Sequence, residues 1–366
     1  MRMSNMGMSN MGMSNMGMSN LRMTNMTMKN TKRTVTVFAA LVLTGAAATA
    51  CGGRQDAPAA DSGGEITCEV GSDTRVSIAT GNSTGVYFSL GNAYAEQISA
   101  ATNGTVKATA AETGASVQNI EQLVAGSYQV AFSLADTASD AVEGTGSFDG
   151  KEQPIQAISR IYPNYTQVVA RKDSGITSIA DMRGKRVSTG SPGSGTEVIA
   201  NRLLETAGLN PQSDVAAQRL DLTKTVDGMK DGSIDALFWS GGLPTPGITD
   251  LFTSIGNDVS FIDITSQLGP MAEISPAYEE GLIPAATYQL PSDVPTIVVP
   301  NMLLVRDDLD ANLACVLTKT LFEKQPELAE VVGAAKGITL ENARNTDPVP
   351  LNRGAELALD ELNAPK

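Results

Sequence analysis

Two short stretches hold the side chains from which chemistry is expected. Residues 81–85 read GNSTG and residues 188–197 read STGSPGSGTE. The first matches the G-x-S-x-G pattern that exposes a nucleophilic serine between a strand and a helix. The second crowds glycines, a proline and hydroxyl side chains into one turn, a composition suited to cradling phosphate, presenting a nucleophile or holding a small anion on backbone N–H groups. Nucleophilic catalysis fails for want of a base. The chain has no histidine, so a Ser–His–Asp triad cannot form, and no lysine stands in the loops flanking GNSTG. Phosphate cradling fails at Thr196 and Glu197, which follow Gly195 where a P-loop needs Lys and then Ser or Thr. No G-x-G-x-x-G follows any strand. The missing histidine also removes the commonest zinc ligand, no C-x-x-C is present, and the acidic pairs Glu279–Glu280 and Asp307–Asp308 read as solvated faces. We therefore expect no catalytic residue, metal or cofactor.

Capture of an anion by backbone amides remains. Three segments share one design, a strand, then a small or hydroxyl-rich loop, then a helix: TGNSTG (80–85), TGAS (113–116) and SPGSGT (191–196). A helix start offers N–H groups without an internal partner and the positive end of the helix dipole. Glycine lets a ligand approach the backbone, and Ser or Thr adds hydrogen-bonding capacity without fixed charge. One such loop is more often a plain N-cap and turn; three in one chain point to a site.

The elements that position these loops follow from periodicity. Strands are predicted at 74–80, 105–112, 128–134, 155–162 and 166–172, and helices over 85–102 and 116–127, with Asp136 placed to cap the next helix. The second half repeats the scheme: GKRVST a strand, 195–208 a helix closed by Gly208, VAAQRL a strand, LTKTVDGMKDG a helix, and IDALFWS a strand running into the Pro/Gly-rich GGLPTPG. A further strand covers 296–305, and helices close the chain. Alternation of this kind predicts an α/β fold with parallel-rich sheets and helices on both faces. We expect two lobes, 74–165 with 295–366 and 166–294, crossed twice by the chain, with a ligand between them.

Residues 1–50 stand apart. The first 28 hold eleven of the fifteen methionines in a low-complexity pattern, and Met28 begins a second opening with a basic start (Lys29, Lys32, Arg33) and an apolar run from Val35 to about Ala48. That run is too short to span a bilayer. ATAC followed by Gly52 and Gly53 resembles a bacterial lipobox, with Ala48 where leucine is usual, and predicts a signal peptide cleaved before a lipidated Cys51, then a flexible tether over 51–73. Leaving out residues 1–50, which hold five basic and no acidic residues, moves the net charge from −14 to −19. Such a body repels nucleic acid and anionic membranes, so an anionic ligand must rely on local dipoles. Cys68 and Cys315 either bridge or remain two unpaired thiols; outside the cytoplasm we expect the bridge.

Several of these segments, in order, resemble the TAXI solute receptors of TRAP transporters (TRAP-associated extracytoplasmic immunogenic proteins). IATGNSTGVYFSLGNAYAEQI is similar to that family's TGG-x-x-G-x-Y opening, and ETGASVQNIEQLVAGSYQVAFSLAD to its TGGS-V-x-N segment; the likeness runs from about residue 74 to about 335. Asn82 and Ala115 stand where the family usually has glycine. The resemblance implies a two-lobed, type II-like periplasmic-binding-protein fold that closes on a small organic acid, often an amino acid such as glutamate, and hands it to TRAP membrane permease subunits. We expect a monomer, tied by the lipid on Cys51 to the outer face of the cytoplasmic membrane. A sensory binding protein without a transporter is the alternative. The implied ligand shell takes Thr80, Gly81, Ser83, Thr84, Gly85 and Tyr87 from the first loop and Thr113, Ser116 and Asn119 from the second. From the opposite lobe come Ser191, Gly193, Ser194, Gly195 and Thr196. Asp136 and Tyr162 are added, a helix cap and a core aromatic being their alternative roles. Trp239 and Pro244 are expected to shape the lobe rather than touch ligand.

Overall fold

The computed structural model describes residues 64–71 and 73–366; the expected signal peptide, Cys51 and most of the expected tether lie outside the described residues. The first half runs β1 (Thr74–Ala79), α1 (Val86–Ala101), β2 (Val106–Ala111), α2 (Ser116–Val124), β3 (Val130–Leu134), α3 (Ala135–Glu143) and the long β4 (Ile155–Arg171). The second runs β5 (Arg186–Ser188), α4 (Gly195–Thr206), β6 (Ala216–Gln218), α5 (Leu222–Asp231), β7 (Ala236–Gly241), α6 (Pro246–Ile255), β8 (Val259–Phe261), α7 (Leu268–Ile274), β9 (Glu279–Ile283) and α8 (Ala285–Tyr288). The chain then returns through β10 (Val294–Arg306) to α9 (Ala311–Glu323), α10 (Gln325–Val331) and α11 (Arg353–Glu361).

The strands lie in the order β2-β1-β3-β10-β4-β7-β5-β6, with β8 added on β4 and β9 on β10. β1 is parallel to β2 and β3, and β5 is parallel to β6 and β7. Between these two parallel groups run β4 and β10, antiparallel to each other and to their neighbours β7 and β3. The sheet is thus mixed, where alternation alone predicted parallel pairing. Strands 155–162 and 166–172 are one strand: Tyr162, Pro163 and Asn164 continue it, because β4 first pairs β10 and then changes partner to β7 at Tyr165. GGLPTPG also departs from the expected loop, since Pro246 opens α6 at a position that needs no N–H.

Burial explains the layers. β3, flanked on both sides, is buried at every residue, as expected of a strand covered on both faces. Leu90, Tyr94 and Ile98 of α1 pack with Val76 and Ile78 of β1 and with Leu313, Leu317 and Leu321 of α9, so the C-terminal helices return to the first half. The buried Tyr94 hydroxyl donates to the Leu317 carbonyl at 2.7 Å. A separate core in the second half joins Leu222, Val226 and Met229 of α5 to Ile248 and Leu251 of α6.

The segment before β1 is fastened rather than loose from Thr67 onward. Asn312 Oδ1 accepts from Thr67 N (2.7 Å) and Cys68 N (3.1 Å), and a disulfide joins Cys68 to Cys315 with Cα atoms 5.2 Å apart. Closing residues 247 apart in sequence restricts the unfolded chain strongly. We predict that the Cys68→Ala/Cys315→Ala double variant loses about 2–4 kcal/mol in urea unfolding. Denatured, unreduced wild type should show no thiol from this pair; two reactive thiols would refute the bridge.

Candidate functional site

The loops after β1, β2 and β5 meet around one cavity of about 30 Å3. Its wall includes Gly85 before α1, Ala115 and Ser116 at the start of α2, and Ser194, Gly195 and Thr196 at the start of α4. Three helices of 16, 9 and 12 residues therefore begin at one space. Neither α1 nor α2 has a side-chain N-cap, so their first N–H groups have no acceptor within the helix. α4 is capped by Ser194, whose Oγ accepts from Glu197 N at 3.0 Å. Glu197 in turn accepts from Gly193 N at 2.9 Å and pairs with Arg219.

Close approach dictates residue choice here. A Cβ on Gly195 would lie 2.5 Å from Leu134 Cδ1, and Gly190 has φ +96, open chiefly to glycine. Ala115 breaks that rule. It holds φ +81 and ψ −151 with a methyl group on the cavity wall, a conformation costing a side chain about 1–3 kcal/mol.

Among the described residues no Asp, Glu, Lys or Arg lines the cavity. Its field comes from dipoles, about half a positive charge per helix start. The remaining wall includes Tyr87, Tyr162, Asn164, Trp239 and Ser240. Tyr162 and Asn164 are two apart on β4 and so share a face. They are 1% and 2% exposed, yet the Tyr162 hydroxyl and Asn164 Oδ1 have no hydrogen-bond partner among the described residues. An unpaired buried polar atom costs roughly 1–3 kcal/mol, so such atoms mark where a bound molecule would bond. Burial pushes the Tyr162 phenol well above its ordinary pKa, which keeps its proton in place.

Of the residues expected from sequence, Gly81, Gly85, Tyr87, Ser116, Tyr162, Ser194, Gly195 and Thr196 line the cavity. The others support it. Thr80 Oγ1 donates to the Ala111 carbonyl at 2.5 Å. Asn119 is fully engaged: Nδ2 donates to the Thr80 (2.6 Å) and Phe132 (2.8 Å) carbonyls, and Oδ1 accepts from Thr113 Oγ1 (2.6 Å). Ser83 N donates to Glu112 Oε1 (2.9 Å), and Thr84 Oγ1 meets Thr223 Oγ1 at 3.3 Å. Ser191 and Gly193 join loops. Asn82 Nδ2 donates to Ser191 Oγ at 3.1 Å, Leu222 N donates to Asn82 Oδ1 at 3.0 Å, and the Gly193 carbonyl accepts from Gln118 N at 3.0 Å.

Asp136 is neither an N-cap nor a cavity residue. It is the second residue of α3, and its carboxylate faces Arg202 and Tyr278. Sequence reasoning missed Asn82, Ala115 and Asn164 as wall residues and gave Trp239 a supporting role, although its ring lines the cavity. An available signal for Asn164 was a strand-disfavoured polar residue inside an otherwise buried strand.

Residues 78–362 match the NMT1-like family, and the chain belongs to that family. A solved protein from Bordetella bronchiseptica RB50 is 18% identical; the match covers 80% of this chain and 98% of that one with a TM-score of 0.54. Also similar are a binding-protein component of an ABC phosphonate transporter from Pseudomonas aeruginosa (14% identity, 79% and 88% covered, TM-score 0.48) and the alkanesulfonate-binding protein SsuA from Xanthomonas axonopodis pv. citri (14%, 80% and 85%, TM-score 0.46). At 18% identity the Bordetella match, with its TM-score of 0.54, shows a shared fold alone. The fold is the two-lobed periplasmic-binding-protein fold that the sequence led us to expect.

Behind the cavity, a buried ionic cluster ties α3 to α4. Arg202 Nη2 donates to both Asp140 oxygens (2.8 and 2.6 Å), and Nη1 donates to Asp136 Oδ2 (3.1 Å) and to Tyr278 Oη (3.0 Å). The Tyr278 hydroxyl donates to Asp136 Oδ2 at 2.5 Å. Burial raises the Asp136 pKa; Arg202 and the Tyr278 hydrogen bond pull it back without cancelling the rise. A raised folded-state pKa means that the native state holds this proton more tightly. The contribution to stability is then full below the ordinary carboxylate range and lost as pH rises through the raised value. We predict that Arg202→Met costs about 3–5 kcal/mol near neutral pH, because it leaves carboxylates buried without a cation. The loss should shrink as pH falls into the carboxylate range; urea unfolding across pH checks both points.

Proposed function

We propose that this chain is an extracytoplasmic solute-binding receptor that captures a small carboxylate-bearing solute between two lobes and delivers it to a TRAP-type permease. The observation that carries the reading is the meeting of three helix starts at one cavity whose wall holds no charged side chain. Anions favour such N-termini, since the N–H groups point at the ligand and the dipole adds attraction. With lobes at 74–165 plus 295–366 and at 166–294, α1 and α2 stand on one lobe and α4 on the other, so a bound carboxylate would bond to both and hold them together. Glutamate is the example that the TAXI resemblance suggests, and the same resemblance supports TRAP delivery. The lipobox-like ATAC supports a lipid on Cys51 that keeps the receptor at the outer face of the cytoplasmic membrane. We read the chain as binding its solute without transforming it, since among the described residues no Asp, Glu, Lys or Arg lines the cavity to act on it.

The test uses Ser194, which lines the cavity and caps α4. Its oxygen accepts from Glu197 N, which leaves the hydroxyl proton for a ligand oxygen. A carboxylate solute is first chosen by a thermal-shift screen of amino acids and dicarboxylates. We predict that Ser194→Ala lowers stability by about 1 kcal/mol and weakens calorimetric binding by about tenfold or more. Asp310→Ala removes the N-cap of α9, whose carboxylate accepts from Leu313 N at 3.0 Å. That variant should lose similar stability at unchanged affinity. Wild-type affinity in Ser194→Ala would refute the site.

A further inference from the structure

Three N–H groups at helix starts find their acceptors across the cleft between the two lobes. Leu222 N, at the first residue of α5, donates to Asn82 Oδ1 at 3.0 Å. Gln118 N, in the first turn of α2, donates to the Gly193 carbonyl at 3.0 Å, and Gly247 N, in the first turn of α6, donates to the Thr84 carbonyl at 3.3 Å. With the lobe bounds proposed above, Asn82, Thr84 and Gln118 stand on the first lobe and Gly193, Leu222 and Gly247 on the second. N–H groups so near a helix start have no acceptor inside their own helix. Each lobe therefore completes hydrogen bonding that the other leaves open.

Among these three acceptors only Asn82 uses a side chain. Its orientation is fixed, because a backbone N–H can only donate and the atom facing Leu222 N must be the carboxamide oxygen. Nδ2 then points to Ser191 Oγ at 3.1 Å and to the Thr113 carbonyl at 3.4 Å. The Ser191 hydroxyl also lies 3.2 Å from Oδ1 and can serve either atom. One carboxamide thus holds two pieces of the second lobe, the loop after β5 and the start of α5. Its position in the sheet gives it leverage. β3 stands between β1 and β10, and β7 between β5 and β4. The Asn82 bonds therefore lie away from β4 and β10, the strands that cross between the lobes, and a rotation of the lobes about those strands breaks them.

We propose that Asn82 is a cross-cleft clasp, a positioning residue that holds the two lobes together and sets how often the cleft opens to admit a solute. The inference rests on the division into two lobes and not on the chemistry of the solute. The clasp's bonds belong to the closed form alone, so removing them shifts the population toward the open form. A solute that enters adds its own bonds to those of the clasp.

Amide hydrogen exchange of the dialysed chain with no solute added, read residue by residue by NMR, tests the clasp. In Asn82→Ala the Leu222 amide loses its acceptor directly and so is not diagnostic. The amides of Gln118 and Gly247 bond elsewhere across the cleft. They should exchange about tenfold faster in Asn82→Ala, since the lost hydrogen bonds favoured the closed form alone. Ser191→Ala, which removes a partner on the opposite lobe and leaves Asn82 in place, should speed the Gly247 amide by a smaller factor. Asp310→Ala, the α9 cap variant used above as a stability control, should leave both amides at their wild-type rates. Wild-type exchange at Gln118 and Gly247 in Asn82→Ala would overturn the clasp. An equal rise in Asp310→Ala would overturn it too, because the amides would then report general loss of stability rather than opening of the cleft. No solute enters the measurement, so the carboxylate site is judged separately, by Ser194→Ala.

Discussion

Three helix starts brought to one cavity place three partial positive charges and their N–H groups within reach of a single small molecule. Like dipole ends repel; Glu197 in the first turn of α4 offsets one of them, and among the described residues no charged side chain lines the wall itself. The surrounding structure has to hold that arrangement against its own electrostatics. The loops are fastened to one another by Asn82 with Ser191 and Leu222 and by Gln118 with Gly193, and the helices behind them by the Arg202 cluster. In the proposed function a solute carboxylate would relieve that repulsion and favour the closed arrangement, so that binding and closure would be one event.

The long antiparallel pair β4–β10 makes this geometry possible. Each strand pairs with neighbours in both halves of the sheet, so the two parallel groups are continuous through it. The same pair carries a proline-bearing irregularity from which Tyr162 and Asn164 face the cavity. Strand pairing, ordinarily a matter of stability, here supplies polar groups to the wall of the candidate site. Ala115 extends the theme: a non-glycine residue held at φ +81 is strain stored in the cavity wall.

Much of this was legible in the sequence, for identifiable reasons. Local periodicity marked β1 to β3 and α1, α2 and α4, and glycine with hydroxyl residues before helices marked the loops that form the wall. What escaped depends on long-range pairing. Nothing near residue 163 announces that β4 continues through a proline, because Pro300, its partner, is far along the chain. Asp136 read as a cap because the sequence does not reveal that Arg202, in another helix, lies against it. Thr80, Thr113 and Asn119 had suitable chemistry in suitable loops, yet their hydrogen bonds go to backbone and to each other. A polar residue in a binding loop supports its neighbours as readily as it meets a ligand, and sequence alone cannot separate the two.

The central claim, that backbone N–H groups at three helix starts hold a solute carboxylate, is tested most directly by nitrogen–proton correlation spectra of the deuterated chain titrated with a binding amino acid. The account predicts that the amide protons of Val86 and Tyr87, Ser116 and Val117, and Gly195 and Thr196 include the largest downfield shifts, since a charge-assisted hydrogen bond draws the proton toward the carboxylate. Saturable shifts confined to other residues, with those six amides unmoved, would contradict it.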